Sequence, residues 1–282
     1  MNRIFLLVIL FGLFPANTAS AQQPQSPADA APLTAEAIMA RVAANQDRAE
    51  TLRKEYVYQQ HLRIVSRRTN GKLEREEISD YRMIPTPQGT EKKLEQIKGQ
   101  YRHKDAYIEF KGEPVPESDS LDAGLIRDFR DDLVEGKSKD GLGIKLFPLT
   151  TEEQKRYRFH LMGEETFQGR RAYRLGFGPA DKDDLDWAGE AYVDAADFQP
   201  IYVFTKLSRR IPLAIRTMLG TDLPGIGFSV RYERQSDGVW FPKSLGSEFR
   251  LHVVFFLNRD ISISLDNSKF EHTHVETSIA AD

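Results

Sequence analysis

From Tyr56 onward the chain alternates apolar and polar residues at a period of two, in run after run separated by turn-forming residues. Tyr56, Tyr58, Leu62 and Ile64 share one side of an extended chain, while Gln59, His61 and Arg63 take the other. Tyr157, Phe159 and Leu161 alternate with Arg156, Arg158 and His160, and Tyr173, Leu175 and Phe177 repeat the pattern after Gln168-Gly169. A strand with one apolar face must bury that face, so these runs demand a sheet with one side covered. Asn70-Gly71 and Asp237-Gly238 are strong hairpin signals. Further strands are predicted over 72–84, 92–98, 101–110, 187–193, 201–207, 228–234, 239–249, 250–257 and 261–275, the last two joined by a turn at Asn258-Arg259-Asp260. Short connections force neighbouring strands antiparallel, giving one large twisted sheet with two or three helices beside it.

Two segments carry helical spacing instead. Thr34 can cap a helix whose apolar positions Ile38, Val42, Ala49 and Leu52 share a face, with Arg53 and Lys54 at the end where cations suit the helix dipole. Residues 118–135 place Leu121, Leu125, Phe129 and Leu133 at steps of four behind an acidic first turn. Residues 209–227 (RRIPLAIRTMLGTDLPGIG) fit neither pattern. Ile211, Leu213, Ile215, Met218 and Leu219 are too apolar for an ordinary exposed loop, and read either as a short helix plugging the end of the sheet or as a mobile flap that touches ligand, membrane or partner.

The N-terminus reads as an address. A positive Met1-Asn2-Arg3 precedes an apolar run that Pro15 ends, and Ala19-Ser20-Ala21 is the arrangement that signal peptidase accepts. The apolar run falls short of the roughly 20 residues that cross a bilayer. Residues 1–21 are therefore expected to be a cleaved signal peptide, 22–32 (QQPQSPADAAP) a flexible leader, and 33–282 a single domain in the periplasm. The chain has no cysteine, which removes the lipoprotein acceptor, disulfides and thiol chemistry. Its 39 basic and 42 acidic residues give a net charge of −3, no field for collecting nucleic acid.

Chemistry-bearing motifs are sparse. The nucleophile-elbow, zinc-protease, P-loop and dinucleotide patterns do not occur, so neither an enzyme nor a cofactor is expected. His272 and His274 fall on one face of a strand and can share a metal, but with no third ligand in sequence they read as a solvated pair. The acidic run 181–186 lacks the EF-hand glycine and terminal glutamate and reads as a solvated loop. Glu164 and Glu165 point to opposite faces of a strand and cannot work as an acid–base pair. The doublets Arg67-Arg68, Arg170-Arg171 and Arg209-Arg210 read as surface charge, with lipid headgroups as the functional alternative.

The segments 169–175 (GRRAYRL), 187–194 (WAGEAYVD), 199–201 (QPI), 228–232 (FSVRY) and 237–243 (DGVWFPK), in that order, resemble the outer-membrane lipoprotein-sorting family, the LolA-like proteins with their LolB and RseB-like relatives. The resemblance implies an α+β fold: a strongly curved antiparallel sheet, an incomplete β-barrel, with helices covering a concave side that holds acyl chains or a partner's lipid. On such a sheet Tyr157, Phe159, Tyr173, Phe177, Phe249 and Phe255 are the natural lining, together with the apolar segment from Ile211 to Leu219. Aromatic residues at alternate strand positions are more often plain core. The expectation is a non-enzymatic periplasmic carrier or sensor for a lipid, acyl chain or lipidated protein, with transient contact to a membrane surface or envelope protein. The alternative is an envelope protein-interaction module without a ligand cavity.

Overall fold

The computed structural model describes residues 33–86, 89–112, 121–135, 147–181, 186–208, 221–222, 226–253 and 257–273. The chain separates into Met1–Pro32 and Leu33–Asp282, and every described residue lies in the second unit. Helix α1 (Ala35–Arg53) opens it, with the Thr34 hydroxyl accepting from the Ala37 N–H at 3.2 Å. Strands β1 (Tyr56–Arg67), β2 (Leu73–Thr86), β3 (Gly89–His103) and β4 (Ala106–Lys111) follow as a meander. The first turn is built as its sequence demands. Gly71 sits at φ +81°, a conformation open to glycine at no steric penalty, and its N–H donates to the Arg68 carbonyl at 2.8 Å.

Helices α2 (Leu121–Glu135) and α3 (Thr151–Gln154) precede a second meander of β5 (Tyr157–Phe167), β6 (Arg170–Pro179), β7 (Trp187–Asp194) and β8 (Pro200–Leu207). The two-residue β9 (Thr221–Asp222), then β10 (Gly227–Arg234), β11 (Trp240–Val253) and β12 (Leu257–His272), complete the described elements. All pair antiparallel in one sheet of order β4-β3-β2-β1-β12-β11-β10-β8-β7-β6-β5, with β9 on β11. The pairing of β1 with β12 sets the architecture. β12 returns to lie between β11 and β1, with Tyr56 opposite His272 and Arg67 opposite Asp260, so the two meanders fuse while β4 and β5 remain as open edges.

The core lies on the inner face, beneath the helices. Leu62, Ile64, Ile261, Ile263, Leu265, Leu175, Val193, Val203 and Val230 are buried there, and α1 adds Ile38, Met39 and Val42. Among the described residues no helix is long and apolar enough to cross a membrane.

Three boundaries differ from expectation. β3 runs unbroken through Gly99, and its turn comes at Lys104-Asp105, with Lys104 at φ +55°. Gly99 is a packing glycine within a strand: a Cβ there would lie 2.6 Å from the Phe110 ring. β11 likewise runs through residues 249–250 as one strand, and Asn258, Arg259 and Asp260, expected as a turn, are the opening residues of β12. Their turn-like composition is overridden by cross-strand partners: Arg250 donates to Asp260 at 2.8 Å, and Asn258 pairs with His252. The apolar segment Ile211, Leu213, Ile215, Met218 and Leu219 lies outside the described residues, as do Phe255 and His274.

Candidate functional site

The inner face divides into two parts with different chemistry. The first, on β5 to β8, is apolar and lies under α1. Tyr157 packs edge-on against Phe177 with ring centroids 6.0 Å apart, and Phe159 stands directly opposite Phe177 across the β5–β6 ladder. Tyr173 stacks on Phe198 at 6.0 Å, and the guanidinium of Arg41 on α1 covers the other ring at 4.6 Å from its centroid. Tyr157, Tyr173 and Phe177 are buried and Phe159 is partly so. Burial, then the hydrogen bond that the Tyr157 hydroxyl donates to Asp186 at 2.7 Å, raises the Tyr157 hydroxyl above its ordinary value. Phe249 joins the same core elsewhere, meeting Phe129 of α2 edge-on at 5.5 Å.

Polar contacts lock α1 over this face. Asn45 donates to the carbonyls of Asp197 and Phe198 at 2.9 and 3.1 Å. Arg53 donates to the Trp240 carbonyl at 2.9 Å and to Gln46 at 2.9 Å, and Gln46 donates to Gln199 at 2.5 Å. Along β5 the apolar row then emerges: Tyr157 is 7% exposed, Phe159 partly buried, and Leu161, opposite the fully buried Leu175, is 38% exposed. Met162 beside it is 46% exposed.

The second part, on β1, β2 and β12 beneath α2, is charged. Asp122, in the first turn of α2, accepts two hydrogen bonds from Arg259 at 2.7 Å each and one from Ser66 at 2.6 Å. Two turns further along, Arg130 donates to Glu77 at 2.9 Å, and Glu77 lies 3.9 Å from the buried Arg75. Burial opposes the charge on Arg130, but Glu77 and then Asp131 outweigh it and hold the guanidinium above its ordinary value. Ile126, wholly buried, sits between these polar contacts. Arg75 and Glu77 are buried at alternate positions of β2, on its inner face. Which carboxylates and arginines meet them from α2 and β12 is a matter of long-range pairing that local pattern does not encode.

The opposite face carries polar grooves. One, of about 510 Å³, is lined by Arg63, Val65, Arg67, Glu248, Asp260 and Ser262. Another, of about 580 Å³, holds Gln59, His61, Asp80, Glu95, Gln96 and Ser268, and in it His61 Nδ1 lies 2.6 Å from Asp80. Among the described residues no three His, Asp or Glu side chains converge to hold a metal. The described arginine doublets meet partners within the chain: Arg68 pairs with Glu74, Arg170 with Asp194, and Arg171 with Glu164 at 2.5 Å. Asp186, from the acidic run, is held by Arg156 at 2.9 Å, and His272 lies 3.0 Å from Glu55.

No protein-family model and no curated protein matches the chain. Solved structures to which it is similar, all at low TM-score, include the following three. The MucA/MucB complex of Pseudomonas aeruginosa matches at 11% identity and TM-score 0.23, covering 83% of this chain and 99% of that one. A lipoprotein-sorting protein domain from Vibrio parahaemolyticus matches at 14% identity and TM-score 0.35, over 82% of this chain and 92% of that one. The chain is similar, too, to a LolA superfamily protein from Nitrosomonas europaea, at 13% identity and TM-score 0.35 over 89% of this chain and 99% of that one.

Proposed function

We propose that the protein is a non-enzymatic binding protein of the bacterial cell envelope. Its signal peptide is cleaved before Gln22, and it holds an acyl chain or a lipidated partner against the inner face where β5 and β6 meet α1. One observation carries this reading: the apolar row Tyr157, Phe159, Leu161 passes from buried to exposed along a single face of an edge strand. A contiguous apolar surface that reaches solvent is where a chain of methylenes gains burial, at roughly 25 cal/mol per Å² of apolar area removed from water. Tyr157, Phe159, Tyr173 and Phe177 are the residues assigned to that surface, and Phe249 belongs to a separate patch under α2.

A second reading, an interaction module without a ligand cavity, is favoured by the packing of the same rings: Tyr173 against Phe198 and Phe249 against Phe129 leave both already buried. Native mass spectrometry with lipid extraction, on protein purified from the envelope, separates the two. The carrier reading expects copurified lipid, displacement of a fluorescent apolar probe by fatty acid, and loss of probe binding in Leu161→Asp. A clean protein in which neither fatty acid nor phospholipid displaces the probe overturns it and leaves the interaction module.

A further inference from the structure

The two edges of the sheet are not alike. β5 is interrupted by a register shift between Leu161 and Gly163, with Gly163 at φ +152°, a bulge of the kind that turns an edge away from further pairing. β4 has no such device. Its six residues run in straight register with β3, and all but the partly buried Phe110 are exposed, including Tyr107 and Ile108. The Gly112 N–H donates to the Ile97 carbonyl at 2.8 Å and His103 stands opposite Ala106, which fixes the alternation along the strand. Ala106, Ile108 and Phe110 bond inward to β3, while Tyr107, Glu109 and Lys111 turn their backbone N–H and C=O groups to the open edge.

Charge selects the occupant. Lys111 lies directly opposite Lys98, a like-charge cross-strand pair that is unfavourable as it stands. Among the described residues, neither lysine is paired with a carboxylate, and Glu109 is not paired with a cation. An antiparallel strand centred on Phe110 and contributed by a second copy brings Glu109 of each copy opposite Lys111 of the other. It also brings the two Phe110 rings together on the inner face, beside Arg75, whose guanidinium lies 5.0 Å from the Phe110 centroid.

We propose that β4 is an interface through which two copies of this chain pair edge to edge about a two-fold axis at Phe110. One short strand buries less than the ~1,000 Å² of a robust interface, so the dimer is weak and concentration-dependent. The two-fold closes the assembly at two copies. Sedimentation equilibrium of the processed protein over a concentration series tests this. A monomer–dimer equilibrium is expected, with Glu109→Lys and Lys111→Glu each weakening it about tenfold or more and the double exchange restoring it. Glu109→Pro removes an outward N–H without touching the ladder to β3, and abolishes the dimer. Circular dichroism melts that match the parent show that each variant still folds. A parent that stays monomeric throughout overturns the proposal. So does a dimer indifferent to the charge exchange, or a series of higher oligomers, the product of head-to-tail pairing between β4 and β5.

Discussion

Gly99 and Arg259 show how single residues constrain the β1–β4 side. Gly99 leaves room for the Phe110 ring, and a methyl group would also meet the Glu76 carbonyl at 2.1 Å. Gly99→Ala is expected to lower stability by about 1–3 kcal/mol through overpacking, read as a lower urea midpoint at unchanged slope. Arg259 matters for a different reason. Its bidentate bond to Asp122 neutralises a nearly buried carboxylate, so Arg259→Met leaves a buried charge unpaired and costs about 3 kcal/mol or more. Replacing both partners with apolar residues recovers most of that loss. A double-mutant cycle measures the difference, and additive single effects would refute the pairing.

At the scale of elements, α1 and α2 are held by different means. α1 combines an apolar face with side-chain bonds to the turn between β7 and β8, and its first turn depends on the Thr34 cap. Thr34→Ala is expected to lower stability by about 1 kcal/mol and Thr34→Ser to restore it, measured by thermal melting. Both helices were legible from apolar spacing, and most strands from alternation, because those signals are local. The breaks expected near residues 99 and 258 failed for one reason. Glycine and short polar residues mark turns in an isolated strand, but here Phe110, Asp260 and His252 hold them in the ladder. α3 went unseen because four residues carry no period; its capping box, Thr150 with Glu153, was the available signal. The aromatic lining was readable as an inner-face set, whereas the charged set beneath α2 joins residues 137 positions apart in sequence and left no local trace.

For the whole molecule, the titrating groups define a working pH range. Hydrogen bonding from Tyr56 holds Asp237 below the usual carboxylate range. Burial opposes ionisation of Asp194 and Glu76, but Arg170 and the Asp197 N–H for the first, and Gln100 and Arg63 for the second, more than compensate. A carboxylate depressed in the folded state stabilises above its unfolded value, near pH ~4, and loses that contribution as pH falls through the depressed value. Tyr56 and Tyr157 are raised by burial and by their aspartate partners, so their contribution is intact below about pH 10 and lost as pH rises towards the folded values. Unfolding midpoints are therefore expected to be level between these limits and to fall on both sides. Asp194→Asn would shrink the acid limb, and an acid limb unchanged in that variant would contradict the assignment.

The return of β12 to the middle of the sheet also sets a timetable. A chain emerging N-terminus first, from a ribosome or from a membrane pore, forms β1 to β4 as one hairpin stack and β5 to β11 as another. Their ladders cannot be joined into one sheet until residues 257–272 are free. Until then Leu62 and Ile64 have no ladder partner on one side, and the sheet stays in two parts. Completing the sheet with β12 postpones its union until a strand far along the chain is free to pair.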